Sequence, residues 1–520
     1  MIKAVCNFPK IVYLIACDDE KVASALSRHT EGNSDGYDYL EKIVQCSFSI
    51  PNPSQQNLHG IFFKDLDEIL EPVKHKELLF DETDWGNLFF DAIAPCLKTP
   101  RNVKVLINSM AAYYPPVKDE VNIVDFVGVQ VLRVFYPQAY TIIQDKSNML
   151  AGSTDDREDR KLQEAFYQEL ERQVPKNNIE NFKKLMSRLF PRYAQLISNG
   201  MGYGSQWTNE WIKHRKVCSK EYFSLYFTLE IPESGISLPE MMAIISLADE
   251  PEAIKTKLRS FIEDDKKSHK KTYKSFLSEL EYFTEDVFPK EKIKPFLQAM
   301  YDLSDDVAPD DHYREFMDIG IDMSMLRISY KLLKRFDSEE ERFQILQSIF
   351  QNSTALSLIV REASLIHSKE EKGKENIVNT QQSNQLISIA LERIRTWKNA
   401  GKLCSLNDFA SVMCRWKEWS SESEVKEYAS NLITSDKGLI NFLTGLLSVT
   451  MSHSMGDSVT RKTYRVPRRY VQDFIHESQL ATLVGRAKCL LDENDKVSGR
   501  QKIALTAFVD EMENPDKYRD

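Results

Sequence analysis

A chain of 520 residues, 42% of them hydrophobic, has material for about three domains with real cores. A formal net charge of −10 argues against non-specific nucleic-acid binding as the main task, because that binding needs clustered positive charge. Eight cysteines without a C-x-x-C pair read as buried thiols in a reducing cytosol, and no apolar run approaches the roughly 18 residues of a membrane span, so a soluble, cytoplasmic protein is expected.

In chain order, the apolar run at residues 11–17 stops at Asp18-Asp19 and reads as a buried parallel strand feeding a helix at 20–26. After a polar loop at 31–36, apolar and polar residues alternate from Val44 to Ile50, and a second strand is expected there, ended by Pro51 and Pro53. Phe62, Phe63, Leu66, Ile69 and Leu70 place one apolar helix face within 58–80. Thr99 as N-cap and Pro100 in the first turn start a helix whose Val103, Leu106 and Ile107 face a core. Asn122 caps another helix running to Tyr136-Pro137, with Asp125 read as a helix N-terminal charge or as a group orienting a neighbour.

The charged run at 155–160 reads as a solvated insertion, and 182–196 as an amphipathic helix. Ser219 is expected to start a short helix, 226–229 to be extended, and Tyr222, Phe223, Tyr226 and Phe227 to be core in preference to a base-stacking platform. Helices starting at Ser237 continue to residue 352 with breaks at Pro289, Pro309 and Gly320, and the polar stretch 369–384 reads as an exposed linker. Helices at 425–433 and 470–475 flank an extended segment at 459–465. Arg461, Lys462, Arg465, Arg468 and Arg469 form one dense basic cluster, read as a solvated strand-turn, with nucleic acid or an acidic partner segment as the alternatives.

Residues 11–18 and 39–51 resemble the last part of the P-loop domain of the KAP family of NTPases, relatives of AAA+ and STAND ATPases, and 99–108 resembles the lid helix of KAP and AAA+ proteins. The blocks at 122–137 and at Arg215, Cys218, Tyr222, Phe223, Tyr226 and Phe227 are similar to that family as well. The resemblance implies a nucleotide-binding role for three residues. Asp18 matches the sensor 1 position, Arg101 the sensor 2 arginine that reaches the ATP phosphates from a lid helix, and Lys42 lies near the cation that acts on a neighbour's site, with Arg28 as another candidate. No G-x-x-x-x-G-K-[ST] motif occurs, and none of the nine histidines shows metal-ligand spacing.

The expected fold class is an α/β remnant of a P-loop NTPase sheet followed by a mostly α-helical, multi-domain remainder. The expected units are a truncated core at 1–57, a helical lid at 58–150, a helical domain at 151–368, the linker at 369–384 and a C-terminal helical domain at 385–520. By resemblance, the chain is the sensor, lid and effector portion of a KAP-type ATPase in bacterial signalling or phage and plasmid defence. It would need ATP and Mg²⁺ only when completed by an N-terminal P-loop half or a homo-oligomer, and would not hydrolyse ATP alone. The alternative is a non-enzymatic helical scaffold for protein partners.

Overall fold

The computed structural model describes residues 10–29, 35–51, 53–71, 73–153, 160–198, 204–231, 235–268, 271–307, 320–371, 376–452, 461–492, 497 and 499–514. The molecule is predominantly helical. Among the described residues the strands are β1 (Ser448–Ser452) and β2 (Arg461–Arg465), an antiparallel pair with Val449 opposite Tyr464.

The helical part of the expectation therefore holds, but the N-terminal α/β remnant does not appear among the described residues. Residues 11–18 and 46–50 form no strand. The run keeps the apolar pattern of a strand without neighbours to pair with: Val12 is 94% and Leu14 95% exposed, and Phe48 and Ile50 are more than four-fifths exposed. A strand is defined by its ladder partners, and none pairs with this run among the described residues. Between these segments, α1 (Asp19–His29) and α2 (Gly36–Ile43) pack as a hairpin, closed where the Gly36 N–H donates to Ser27 Oγ at 2.9 Å. Gly36 is required there, since a Cβ would lie 1.9 Å from the Ala23 carbonyl oxygen. No residue of this hairpin enters the three apolar cores.

The first core begins at α3 (Gln55–Leu70), which packs Leu58, Phe62 and Leu66 against α4 (Pro100–Tyr113). The start of α4 is fixed locally. Thr99 Oγ1 accepts the Asn102 N–H at 3.2 Å while Asn102 Oδ1 accepts the Thr99 N–H at 3.1 Å, a reciprocal cap. Next comes α5 (Ile123–Phe135), buried on nearly every side, which explains why its sequence is so uniformly apolar. It approaches α6 (Ile179–Leu189) closely at Gly128, where a Cβ would lie 2.7 Å from Leu189 Cδ2. The core closes with Phe223, Leu225 and Tyr226, confirming that the aromatic block is interior. The expected extended connection at 226–229 is instead one helical turn, Leu225–Thr228, stopped by Leu229 at φ 61°.

A second core gathers helices from α7 (Leu238–Ser246) through α8 (Thr272–Leu280) to Thr380–Asn399, and a third surrounds Trp416 and reaches Phe508 on α9 (Arg500–Glu513). The helix Thr380–Asn399 begins inside the stretch expected as a linker. Asn379 and Gln382 form its reciprocal cap, and Ser383 is buried, so the polar composition of 379–384 serves capping. The thiols also depart from expectation, for Cys218 is buried while Cys17, Cys46 and Cys489 are exposed. The break at Pro309 and most of the 155–160 charge run lie outside the described residues. Among the described residues, no helix is long and apolar enough to cross a membrane.

Candidate functional site

Asp18 sits where the exposed apolar run meets α1. Its Oδ1 accepts the Lys21 N–H at 3.2 Å and its Oδ2 lies 3.3 Å from Lys21 Nζ. These bonds, first the backbone one, hold its carboxyl below the ordinary range. It is thus a charged helix cap, 52% exposed, rather than a group already aimed at a pocket. Lys42 and Arg28 are exposed on the α1–α2 hairpin.

Arg101 occupies the first turn of α4, exposed, with no hydrogen bond or ion pair to another described residue. A guanidinium beside the positive end of a helix dipole is electrostatically unfavourable unless an anion joins it. The neighbouring Lys104 is bound to Asp65 of α3 at 2.9 Å, so α4 is anchored while Arg101 projects outward. No bond joins Asp18 to Arg101. Among the described residues no group of His, Cys, Asp and Glu is arranged to hold a metal ion.

The basic cluster is partly spent on the fold. Arg465 binds Glu511 twice, Nε to Oε2 at 3.1 Å and Nη2 to Oε1 at 2.9 Å, and Glu511 also accepts the Arg468 backbone N–H. Arg469 lies over the Tyr470 ring at 5.0 Å, and Lys462 is exposed. The side chain of Arg461 lies outside the described residues. One of the five charges therefore neutralises a buried carboxylate and is not available as a phosphate contact.

The densest charged assembly is elsewhere, where the first two cores meet. Four consecutive residues, Lys213-His214-Arg215-Lys216, each reach a different segment. Lys213 Nζ binds Asp286 at 2.8 Å, His214 Nδ1 lies 2.7 Å from the Leu78 carbonyl, and Lys216 binds Asp84. Arg215 binds Glu120 through Nη1 and Glu279 through Nη2, the latter at 2.6 Å, and lies over the Tyr222 ring. Tyr222 Oη in turn donates to Glu279 at 2.6 Å, and Glu120 accepts the Leu238 N–H at the start of α7. Alongside, Asp125 accepts the Val217 N–H at 2.8 Å, and Tyr226 Oη accepts the Asn122 N–H while donating to the Arg215 carbonyl.

Two carboxylates share one guanidinium, so the cluster holds surplus negative charge out of water. Burial pushes Glu120 up to about 7 against the pull of Arg215. Asp125, wholly enclosed, is pushed up to about 6, opposed by Lys216 and the Val217 N–H. Burial works against the charge of Arg215 too, yet Tyr222, Glu279 and Glu120 outweigh it and keep its pKa raised. The sequence reading missed this assembly. Its signal was present in the basic residues Lys213, Arg215 and Lys216 placed shortly before the aromatic block, together with Asp125 three residues after a cap.

Compared with known proteins, residues 1–117 match the family model of the KAP family P-loop domain. The three stretches that carry the resemblance, 11–18, 39–51 and 99–108, fall inside that match. The chain is also 27% identical over 145 residues to the phage T7 exclusion protein of Escherichia coli (strain K12), a match covering 27% of this chain and 19% of that protein. No solved structure matches significantly.

Proposed function

With residues 1–117 matched to the KAP family P-loop domain, we propose that this chain is the sensor, lid and helical effector portion of a KAP-type ATPase. Its Asp18 and Arg101 would face nucleotide supplied by an N-terminal P-loop half or by an oligomeric neighbour, and Lys42 would act on a neighbouring site. ATP and Mg²⁺ belong to that completed assembly, and a role in phage exclusion follows the printed name of the E. coli relative.

The observation that carries the reading is the apolar run 11–15, at least 45% exposed at every residue, ending at Asp18. An extended apolar segment exposed along its length suits insertion between strands of a parallel sheet, which buries both faces. Asp18 would then stand at the strand's carboxyl end, where open α/β sheets bind ligands. An unpaired Arg101 on a firmly capped helix suits a phosphate in the same way.

The test is ATP hydrolysis by this chain alone and after co-expression with a P-loop half carrying a glycine-rich Lys-Ser/Thr loop. Hydrolysis is expected only in the complex, reduced about tenfold or more by Asp18→Ala or Arg101→Ala. A complex whose activity ignores both substitutions would overturn the assignment. The second reading, a non-enzymatic scaffold, is favoured by the engagement of Asp18 as a helix cap, and it predicts partner binding indifferent to nucleotide.

A further inference from the structure

In sequence the second core follows the first after Leu229, and Arg215 Nη2 reaches the carbonyl of Ile236, where the described chain enters the second core, at 3.3 Å. On one side stand Glu120 and the aromatic block of the first core; on the other stand Glu279 at the end of α8 and Leu238 at the start of α7. Apolar contact across this boundary is made by Leu79 and Ile123, which are buried within the second core, and by Leu70, Val73 and Phe80, which touch both cores. The ionic bonds add a second, directional connection.

The backbone here is held in conformations that L-residues avoid. Among the described residues five non-glycine residues have positive φ; Asp119 at 63° and Arg215 at 51° belong to this assembly, and His75 at 55° follows a residue bonded to it. Asp119 precedes Glu120 and accepts the Lys74 N–H at 3.0 Å, next to His75. Each such residue persists only because its surroundings hold it. The buried Nε of Arg215 also has no hydrogen-bond partner. A guanidinium with one donor unmet, on a strained backbone, shared by two acids, is not arranged for maximal stability.

We infer that the Arg215 assembly is a releasable joint between the first two cores. While Arg215 holds Glu120 and Glu279, the two cores move as one body. When Arg215 and Tyr222 let go of Glu279 and α7 draws away from Glu120, the Leu238 N–H loses its acceptor, the backbone at 119 and 215 relaxes, and the cores move independently. This goes beyond the nucleotide reading, since the joint operates whatever signal opens it.

Hydrogen exchange on the full chain tests it, comparing the wild type with Tyr222→Phe and Glu279→Gln. In Tyr222→Phe one donor to Glu279 is lost and every charge stays, so this variant keeps the test valid if Glu279→Gln does not fold. The expected result is exchange about tenfold faster at 213–219 and 236–241, with the interiors of α5 and of the helix Ile293–Asp302 unchanged. Loss of protection spread evenly through both cores would make the residues merely structural and overturn the inference. So would unchanged exchange at the joint in Tyr222→Phe.

Discussion

Stability should fall as pH rises from about 5 to about 8, the reverse of what paired surface carboxylates produce. Glu120 moves from an ordinary 4.5 to about 7, and Asp125 from 3.8 to about 6. A raised carboxyl pKa in the folded state means that folding favours the protonated form. The associated stability is complete below the unfolded value and is lost as pH climbs through the folded one. At about 1.4 kcal/mol per pKa unit, each residue contributes on the order of 3 kcal/mol. Carboxylates held low, such as Glu424 by Arg395, act in the opposite sense, but their window lies below the ordinary carboxylate pKa and leaves this range clear. The assay is the urea midpoint at several pH values for the wild type, Glu120→Gln and Asp125→Asn. Each variant should flatten the slope, and Glu279, Asp265 and Asp408, which burial also raises, leave a residual fall. A midpoint that is level or rises with pH, or a slope that neither substitution changes, would refute the reasoning.

Residues 10–51 should exchange amide hydrogens within the earliest time points outside the α1–α2 hairpin, and strong protection at 11–15 would show those amides to be paired. Thr99→Ala should cost about 1 kcal/mol through its cap, whereas Arg101→Ala should change stability by less than about 0.5 kcal/mol; equal losses in chemical denaturation would mean Arg101 is a structural residue. Arg465→Ala should cost about 3 kcal/mol, because it strands Glu511, which is 3% exposed, without its partner. Arg469→Ala at the exposed end of the same cluster should cost almost nothing, and a reversed order in thermal melts would contradict the ion pair.

What could be read from the sequence was what short range decides. The caps at Thr99, Asn122 and Ser237 lie three residues from the amides they bind, and all three appear as expected. The aromatic block, too, announced its burial by helical spacing. Strands depend on partners, so the run 11–17 displayed strand composition without declaring whether a ladder exists. Asp125 looked like a helix charge because its real partner, Val217, is 92 residues away. Likewise Arg215 finds Glu120 and Glu279 at separations of 95 and 64 residues, and no local pattern encodes such pairings. Among the sensor candidates, the sequence supplied positions on elements but not their mutual placement. Asp18 proved to be occupied as a cap, and Arg101 to have no bonded partner among the described residues.

The contacts of Tyr226 have a consequence for synthesis on the ribosome. Its hydroxyl closes onto the Asn122 amide 104 residues earlier, and His214 closes onto a carbonyl 136 residues earlier. At roughly 5–20 residues per second, α5 emerges many seconds before the residues that seal its N-terminus exist. In that interval the face of the helix that later residues cover stands in water, while the earlier helices Pro100–Tyr113 and Glu82–Leu88 can already pack on the rest. Slowed translation between residues 135 and 226 would prolong that partly covered stage.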